Sequence, residues 1–169
     1  MEPDFLDPTY LSMASERPCY NLDGWMAGKD YVFCLFTRAS QGADISVIEG
    51  VMGLFDGADP ASSEGSIAEI ARWLNAPIIL IAVVYGMARS LAALVRGYSG
   101  FEKGLQLAGV IANRCGSEHH ASMLALSLAA EALPRLVGGI PQGAIPNLAS
   151  RHLGLGERRH RNSFPDGPR

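Results

Sequence analysis

The chain has 169 residues, of which 48% are hydrophobic and 18% charged, with 19 glycines and 10 prolines. That length suits one domain, and the apolar share excludes a disordered, collagen-like or coiled-coil chain as a description of the whole. The longest apolar run, Pro77 to Val84, falls far short of the roughly 18–20 residues that a spanning helix needs, so no membrane partner is expected.

The formal net charge of −3 is unevenly spread. Residues 1–150 carry 9 lysines and arginines against 15 acids, and residues 151–169 carry 5 against 2. So acidic a body is a poor general binder of nucleic acid. The arginine-rich end has no apolar period, which predicts a basic, disordered tail. Cys19, Cys34 and Cys115 are odd in number and widely spaced. They argue against a disulfide framework and suit a reducing compartment. Met1-Glu2-Pro3-Asp4 has no apolar signal stretch, so the expected location is cytoplasmic.

In chain order, residues 1–28 set Asp4, Asp7 and Asp23 among Pro3, Pro8, Pro18 and Gly24, with no helical or strand period; this predicts an ordered loop. A helix is predicted over Asp30 to Ala39, and a strand over Ile45 to Ile48. Ile67, Ile70, Ala71 and Leu74 follow helical spacing, with Ser66 near the start and Asn75-Ala76-Pro77 at the end. The β-branched run Ile78 to Val84 predicts the next strand. Leu91, Leu94 and Val95 mark a helix, Leu107 to Ala112 a strand. Met123, Leu124, Leu128 and Leu133 mark a further helix stopped by Pro134, and Leu136 to Ile140 a last strand. Unbroken apolar runs suit strands covered on both faces, and the alternation predicts an α/β fold with a parallel sheet.

The sharpest chemical signal is the stretch from Val47 to Gly57. An apolar run enters Glu49, then a loop with Gly50, Gly53 and Gly57 that carries Asp56. Ligands of open α/β sheets bind at the carboxyl ends of strands. A carboxylate there suits Mg²⁺, and glycines let the backbone approach a phosphate. A strand-end turn with two solvated acids has the same spacing, and spacing alone does not choose between them.

Asn113-Arg114 follows the third predicted strand; an asparagine amide can pair with an adenine edge, and it equally serves as a turn residue. Gly86 to Ser90 fits either an anion site at a helix start or an ordinary turn. Cys115, His119 and His120 have no second ligand pair at zinc spacing elsewhere. No Gly-x-x-x-x-Gly-Lys-Ser/Thr loop is present within these residues, whose only lysines are Lys29 and Lys103.

Six stretches together carry a family likeness: Glu2 to Thr9, Arg17 to Met26, Val47 to Gly57, Gly86 to Ser90, Asn113-Arg114 and Ser150 to Leu155. In these the chain resembles the amino-terminal, ATP-binding domain of the cobyrinate and hydrogenobyrinate a,c-diamide synthases. The resemblance implies a parallel-sheet, P-loop NTPase-like domain of the dethiobiotin-synthetase type, here without its first strand, P-loop and first helix. It implies a partial nucleotide- and corrin-binding domain over residues 1–155, with the basic tail over 156–169.

The activity implied is amidation of the a- and c-acetate carboxylates of a corrin with ATP and Mg²⁺. Ammonia would come from glutamine through a separate carboxy-terminal glutaminase domain, absent here. Asp4 and Glu49 match family carboxylates at the nucleotide and metal site, and Asp56 matches a third acid near the reacting carboxylate. Gly50 and Gly53 match the nucleotide-side loop, Asn113 the adenine contact, and Phe5 and Leu6 positions that shape the corrin pocket. A homodimer is left open.

Two positions depart from the pattern: Val83 stands where the family usually has Asp, and Gly24 where Pro is common. With no lysine loop, the expectation is a chain truncated at both ends and inactive alone. The other readings are a related amidoligase of the cobyric acid or dethiobiotin type, and a non-catalytic fragment that needs a separate P-loop piece.

Overall fold

The computed structural model describes residues 7–145. Its elements, in order, are α1 (Asp7–Ser15), α2 (Gly24–Ala39), α3 (Ile67–Leu74), β1 (Ile78–Val83), α4 (Ser90–Phe101), β2 (Leu107–Cys115), α5 (Glu118–Ala129) and β3 (Leu136–Pro141). The strands form one three-stranded sheet in the order β1-β2-β3, and both pairings are parallel. The fold is α/β with a parallel sheet, as the strand–helix alternation requires. No helix among the described residues is long and apolar enough to cross a membrane.

Parallel neighbours need a crossover, and α4 and α5 supply the two here. Both pack on the same face of the sheet. Leu91, Ala92 and Val95 of α4 and Leu124 and Leu128 of α5 close over Ala82, Val84, Val110, Ala112 and Cys115. Bulges disturb the register between Ile78 and Ile79 and between Val110 and Ile111, where one strand carries an extra residue against its neighbour.

The opposite face differs from expectation. Continuous apolar strands predict cover on both sides, yet Ile79, Ile81, Val83 and Val137 are 45%, 62%, 51% and 52% exposed. No described helix lies over that face. Alternation along β1 sends every second residue into the α4–α5 core and leaves the others bare.

The segment Ile45 to Ile48 is likewise not a strand. A strand needs a neighbour to exchange ladder hydrogen bonds, and no described segment pairs with this one. The segment has no regular secondary structure and is solvated, with Ile45 80% and Val47 86% exposed.

Residues 7–28 are not a loop throughout. In α1, Pro8 stands in the first turn, where a missing N–H costs little. No residue of α1 is buried, so the helix has no apolar stripe to betray it. In α2, Asp23 accepts from Trp25 N at 3.0 Å and Met26 N at 2.9 Å, so the helix starts at Gly24 rather than Asp30. It breaks at Gly28, whose φ of +79° only glycine adopts readily, and continues with Val32 and Leu35 buried. Helix α5 ends at Ala129, ahead of Pro134: Leu133 N turns back to Leu128 O at 3.1 Å through Ala132 at φ +51°. Met123, assigned to its apolar stripe, is instead 42% exposed.

Helices α2 and α3 form a second layer of contact. Lys29 of α2 lies 5.7 Å from the Phe33 ring and 5.9 Å from the Trp73 ring of α3. Gly24 fits there because a Cβ would come within 2.7 Å of Trp73 Cζ3, which accounts locally for a glycine at that position.

Candidate functional site

The acid-bearing loop is built onto the start of α3. Ser66, 1% exposed, caps that helix: its side chain accepts from Glu69 N at 3.2 Å and donates to Ser63 O at 2.7 Å. Glu69 answers by accepting from Gly65 N at 2.9 Å. This is a reciprocal cap displaced by one residue from the usual box. The loop then ties on through two backbone bonds, Ala68 N to Leu54 O at 2.9 Å and Ala58 N to Glu64 O at 2.8 Å.

Its glycines have separate steric reasons. A Cβ on Gly50 would sit 2.7 Å from Ile67 Cδ1 at the first residue of α3. A Cβ on Gly53 would collide with the Asp56 carboxylate, which folds back over Gly53 while Asp56 N donates to Gly53 O at 3.0 Å. A Cβ on Gly57 would strike the backbone carbonyl of Glu64. On the far side, Phe55 packs against Tyr98 and Phe101 of α4, with ring centroids 5.6 and 4.7 Å apart. Glu102, just past α4, takes hydrogen bonds from Ser63 and Arg72. The loop is therefore held between α3 and the end of α4, with Asp56 at its exposed turn.

Glu49 is exposed in the irregular segment before this loop. It does not stand at the carboxyl end of a described strand, because Ile45–Ile48 has no ladder partner among the described residues. The structure thus joins Gly50, Gly53 and Asp56 through α3, with Glu49 adjacent in sequence. Asp4, Phe5 and Leu6, along with Ser150 to Leu155 and the tail over 156–169, lie outside the described residues.

Asn113 belongs to a second cluster, at the carboxyl end of the sheet. It pairs in register with Val83 of β1 and Ile140 of β3, and alternation places it on the sheet face away from the α4–α5 core. Its Oδ1 accepts from Arg114 N at 2.8 Å, and Arg114 turns through φ +57°. The carbonyl keeps a second lone pair and the amide its donors. Beside it, Gly86 takes φ +71° and Met87 N donates to Val84 O at 2.9 Å. Arg89 precedes α4 and is 84% exposed at its side chain, paired with Glu131.

The donors available suit some ions better than others. No group of three or more His, Cys, Asp or Glu that could hold a metal occurs among the described residues. Cys115 is buried and its thiol donates to Ser117 O at 3.5 Å, while His120 bonds to backbone on both sides. Soft, closed coordination of the zinc kind has no footing there. Glu49 and Asp56 are exposed hard-oxygen donors, the kind Mg²⁺ takes singly or in pairs while keeping waters.

Sequence reasoning put Ser66 near the start of α3 but missed the matching cap of α5 at Ser117. Gly65-Ser66-Ile67-Ala68-Glu69 and Gly116-Ser117-Glu118-His119-His120 share one Gly-Ser-x-x pattern, and both caps form. That recurrence is visible in the sequence as a capping signal.

Comparison with known proteins gives a consistent result. The cobyrinate a,c-diamide synthase of Syntrophotalea carbinolica is 60% identical over 163 residues, covering 95% of this chain and 36% of that protein. Those of Leptospira interrogans and Priestia megaterium are 45% and 44% identical over 153 residues, covering 90% of this chain and 33% of each. The chain spans about a third of the length of the curated relatives it matches. No protein-family model matches it, and no solved structure does. Over the segment it spans, the chain is similar to the cobyrinate a,c-diamide synthases.

Proposed function

We propose that this chain is a nucleotide- and corrin-side segment of a glutamine-hydrolysing amidoligase that makes the a,c-diamide of a corrin in cobalamin biosynthesis. The observation that carries the reading is 60% identity over 95% of the chain to a protein of that name. The acid loop between α3 and α4 gives it a chemical basis. In the reaction, a corrin carboxylate takes the terminal phosphoryl group of ATP, and ammonia from glutamine then displaces phosphate to leave an amide.

Mg²⁺, when bound, neutralises phosphate oxygens during such a transfer. In this reading Glu49, with Asp4, holds the ion, and Asp56 stands near the reacting carboxylate. The glycines at 50 and 53 let the loop backbone lie close to phosphate, and the amide of Asn113 meets the adenine edge. Asp56 is held for this role by Gly53, whose missing Cβ makes room for its carboxylate.

The test is a chimera in which this segment replaces the matching third of the Syntrophotalea carbinolica enzyme, assayed for glutamine-dependent amidation by mass spectrometry. The expected result is turnover, with Glu49→Gln lowering kcat by about 10²–10³-fold, as removal of a group acting on transition-state charge does. A folded chimera that binds no corrin and forms no amide overturns the reading. The 169 residues alone, which contain no lysine-bearing phosphate loop, are expected to form no amide.

A further inference from the structure

His120 makes two hydrogen bonds to segments that lie far apart in the chain. Its Nδ1 accepts from Gly116 N at 3.0 Å, and its Nε2 lies 2.6 Å from Met87 O, 33 residues away. Gly116 belongs to the turn after β2 and Met87 to the turn after β1. The partners assign the tautomer. A backbone N–H can only donate, so Nδ1 carries no proton; a carbonyl can only accept, so Nε2 carries one.

Comparison with α3 shows why this side chain is a histidine. Both helices open with a serine cap and a side chain three residues on that reaches back to the N–H of the preceding glycine. In α3 a carboxylate, Glu69, does this. A carboxylate would serve the α5 cap equally well, but it would set oxygen against Met87 O with no proton between them. A neutral imidazole supplies one acceptor and one donor together, which is what the two turns require.

We propose that His120 is a positioning residue that locks the turn after β1 and the turn after β2 into one arrangement through its Nε2–H tautomer. Next to these turns Arg114, near the end of β2, takes a φ of +57° that a non-glycine residue rarely adopts, while Gly86 takes φ +71°, which glycine adopts readily. A conformation such as that of Arg114 persists when its surroundings over-determine it. Val84 N to Asn113 O at 2.9 Å links the strands just before the turns, and His120 links the turns themselves. The consequence for Asn113 as an adenine contact rests on the amidation reading; the clasp itself does not.

Nitrogen-resolved NMR of the full chain tests it directly. The expected spectrum shows His120 in a single neutral form, protonated on Nε2 and unprotonated on Nδ1. An Nδ1–H form, or averaging between the two, overturns the proposal. Amide exchange in two variants provides the second arm. His120→Gln retains an acceptor and a donor, so both turns should keep wild-type shifts and protection. His120→Glu should keep Gly116 protected while shifting the Gly86 to Ser90 amides and speeding their exchange about tenfold through local opening. Glu and Gln acting alike on the β1 turn overturns the clasp. Methyl shifts of Leu124 and Leu128 report that each variant is folded. A chimera that keeps the expected tautomer in this segment but binds no Mg-ATP would count against the nucleotide role alone.

Discussion

Gly53 and Gly57 stand four residues apart in one loop, yet the structure gives them unequal sensitivity. A Cβ on Gly53 meets the end of an exposed carboxylate, Asp56, which can swing away. A Cβ on Gly57 meets the Glu64 carbonyl, part of the backbone that seats the loop on α3, with Ser66 N 3.0 Å off. Gly53→Ala is expected to change stability by no more than about 0.5 kcal/mol while displacing Asp56. Gly57→Ala is expected to cost about 1–3 kcal/mol, because the fixed backbone must move. Urea unfolding of the two variants checks the order. Equal losses would show that the loop is not seated as described. The sequence marked these glycines, but which neighbour each one admits depends on the fold.

Among the elements, α4 and the turn after α5 are tied by charge as well as by their shared core. Arg89 and Arg96 reach the two carboxylate oxygens of Glu131 at 2.8 and 2.6 Å. The hydrogen bond from Arg89, then the charge of Arg96, hold the Glu131 carboxyl below the usual carboxylate range. A group with a lowered folded-state pKa stabilises the fold above its unfolded pKa, and the gain is lost as pH falls through the folded value. The difference in Tm between wild type and Glu131→Gln should therefore be largest at neutral pH and close on acidification. Salt should shrink it too, since both arginines are exposed. A difference independent of pH would remove the charge explanation.

Legibility in the sequence also varied by element. The three strands that form were visible as β-branched or apolar runs, and α3 and α4 as helical periods, because each buries a face. Helix α1 was hidden because it buries nothing, and the start of α2 because its cap, Asp23, precedes a glycine-interrupted turn.

At the scale of the whole molecule, the sheet is apolar on two faces and, among the described residues, covered on one. Ile79, Ile81, Val83 and Val137 form a patch of the kind that drives association, and one edge of β1 has no strand beside it among the described residues. Ile81→Thr keeps the β-branched shape and removes apolar surface. It is expected to reduce self-association in light scattering and dye binding to exposed apolar surface, with stability within about 0.5 kcal/mol of wild type. Unchanged association would show that this face is not the sticky one. Loss of stability well beyond that would mean the face is covered in solution.

By itself the sequence determined the family likeness, the α/β alternation, the parallel strands from Ile78 onward and the glycine–acid loop. These are local patterns or long, specific strings, and they survive without knowledge of neighbours. The tertiary structure alone decided three other matters. Ile45 to Ile48 has strand composition but no ladder partner among the described residues, so it stays irregular and exposed. The outward residues of β1 look identical in sequence to its inward ones, and only helix placement tells them apart. His120 and Met87 are 33 residues apart, and their hydrogen bond depends on how the parallel sheet aligns two turns. Strand pairing, burial and long-range hydrogen bonds are properties of neighbours in space, which no stretch of chain carries alone.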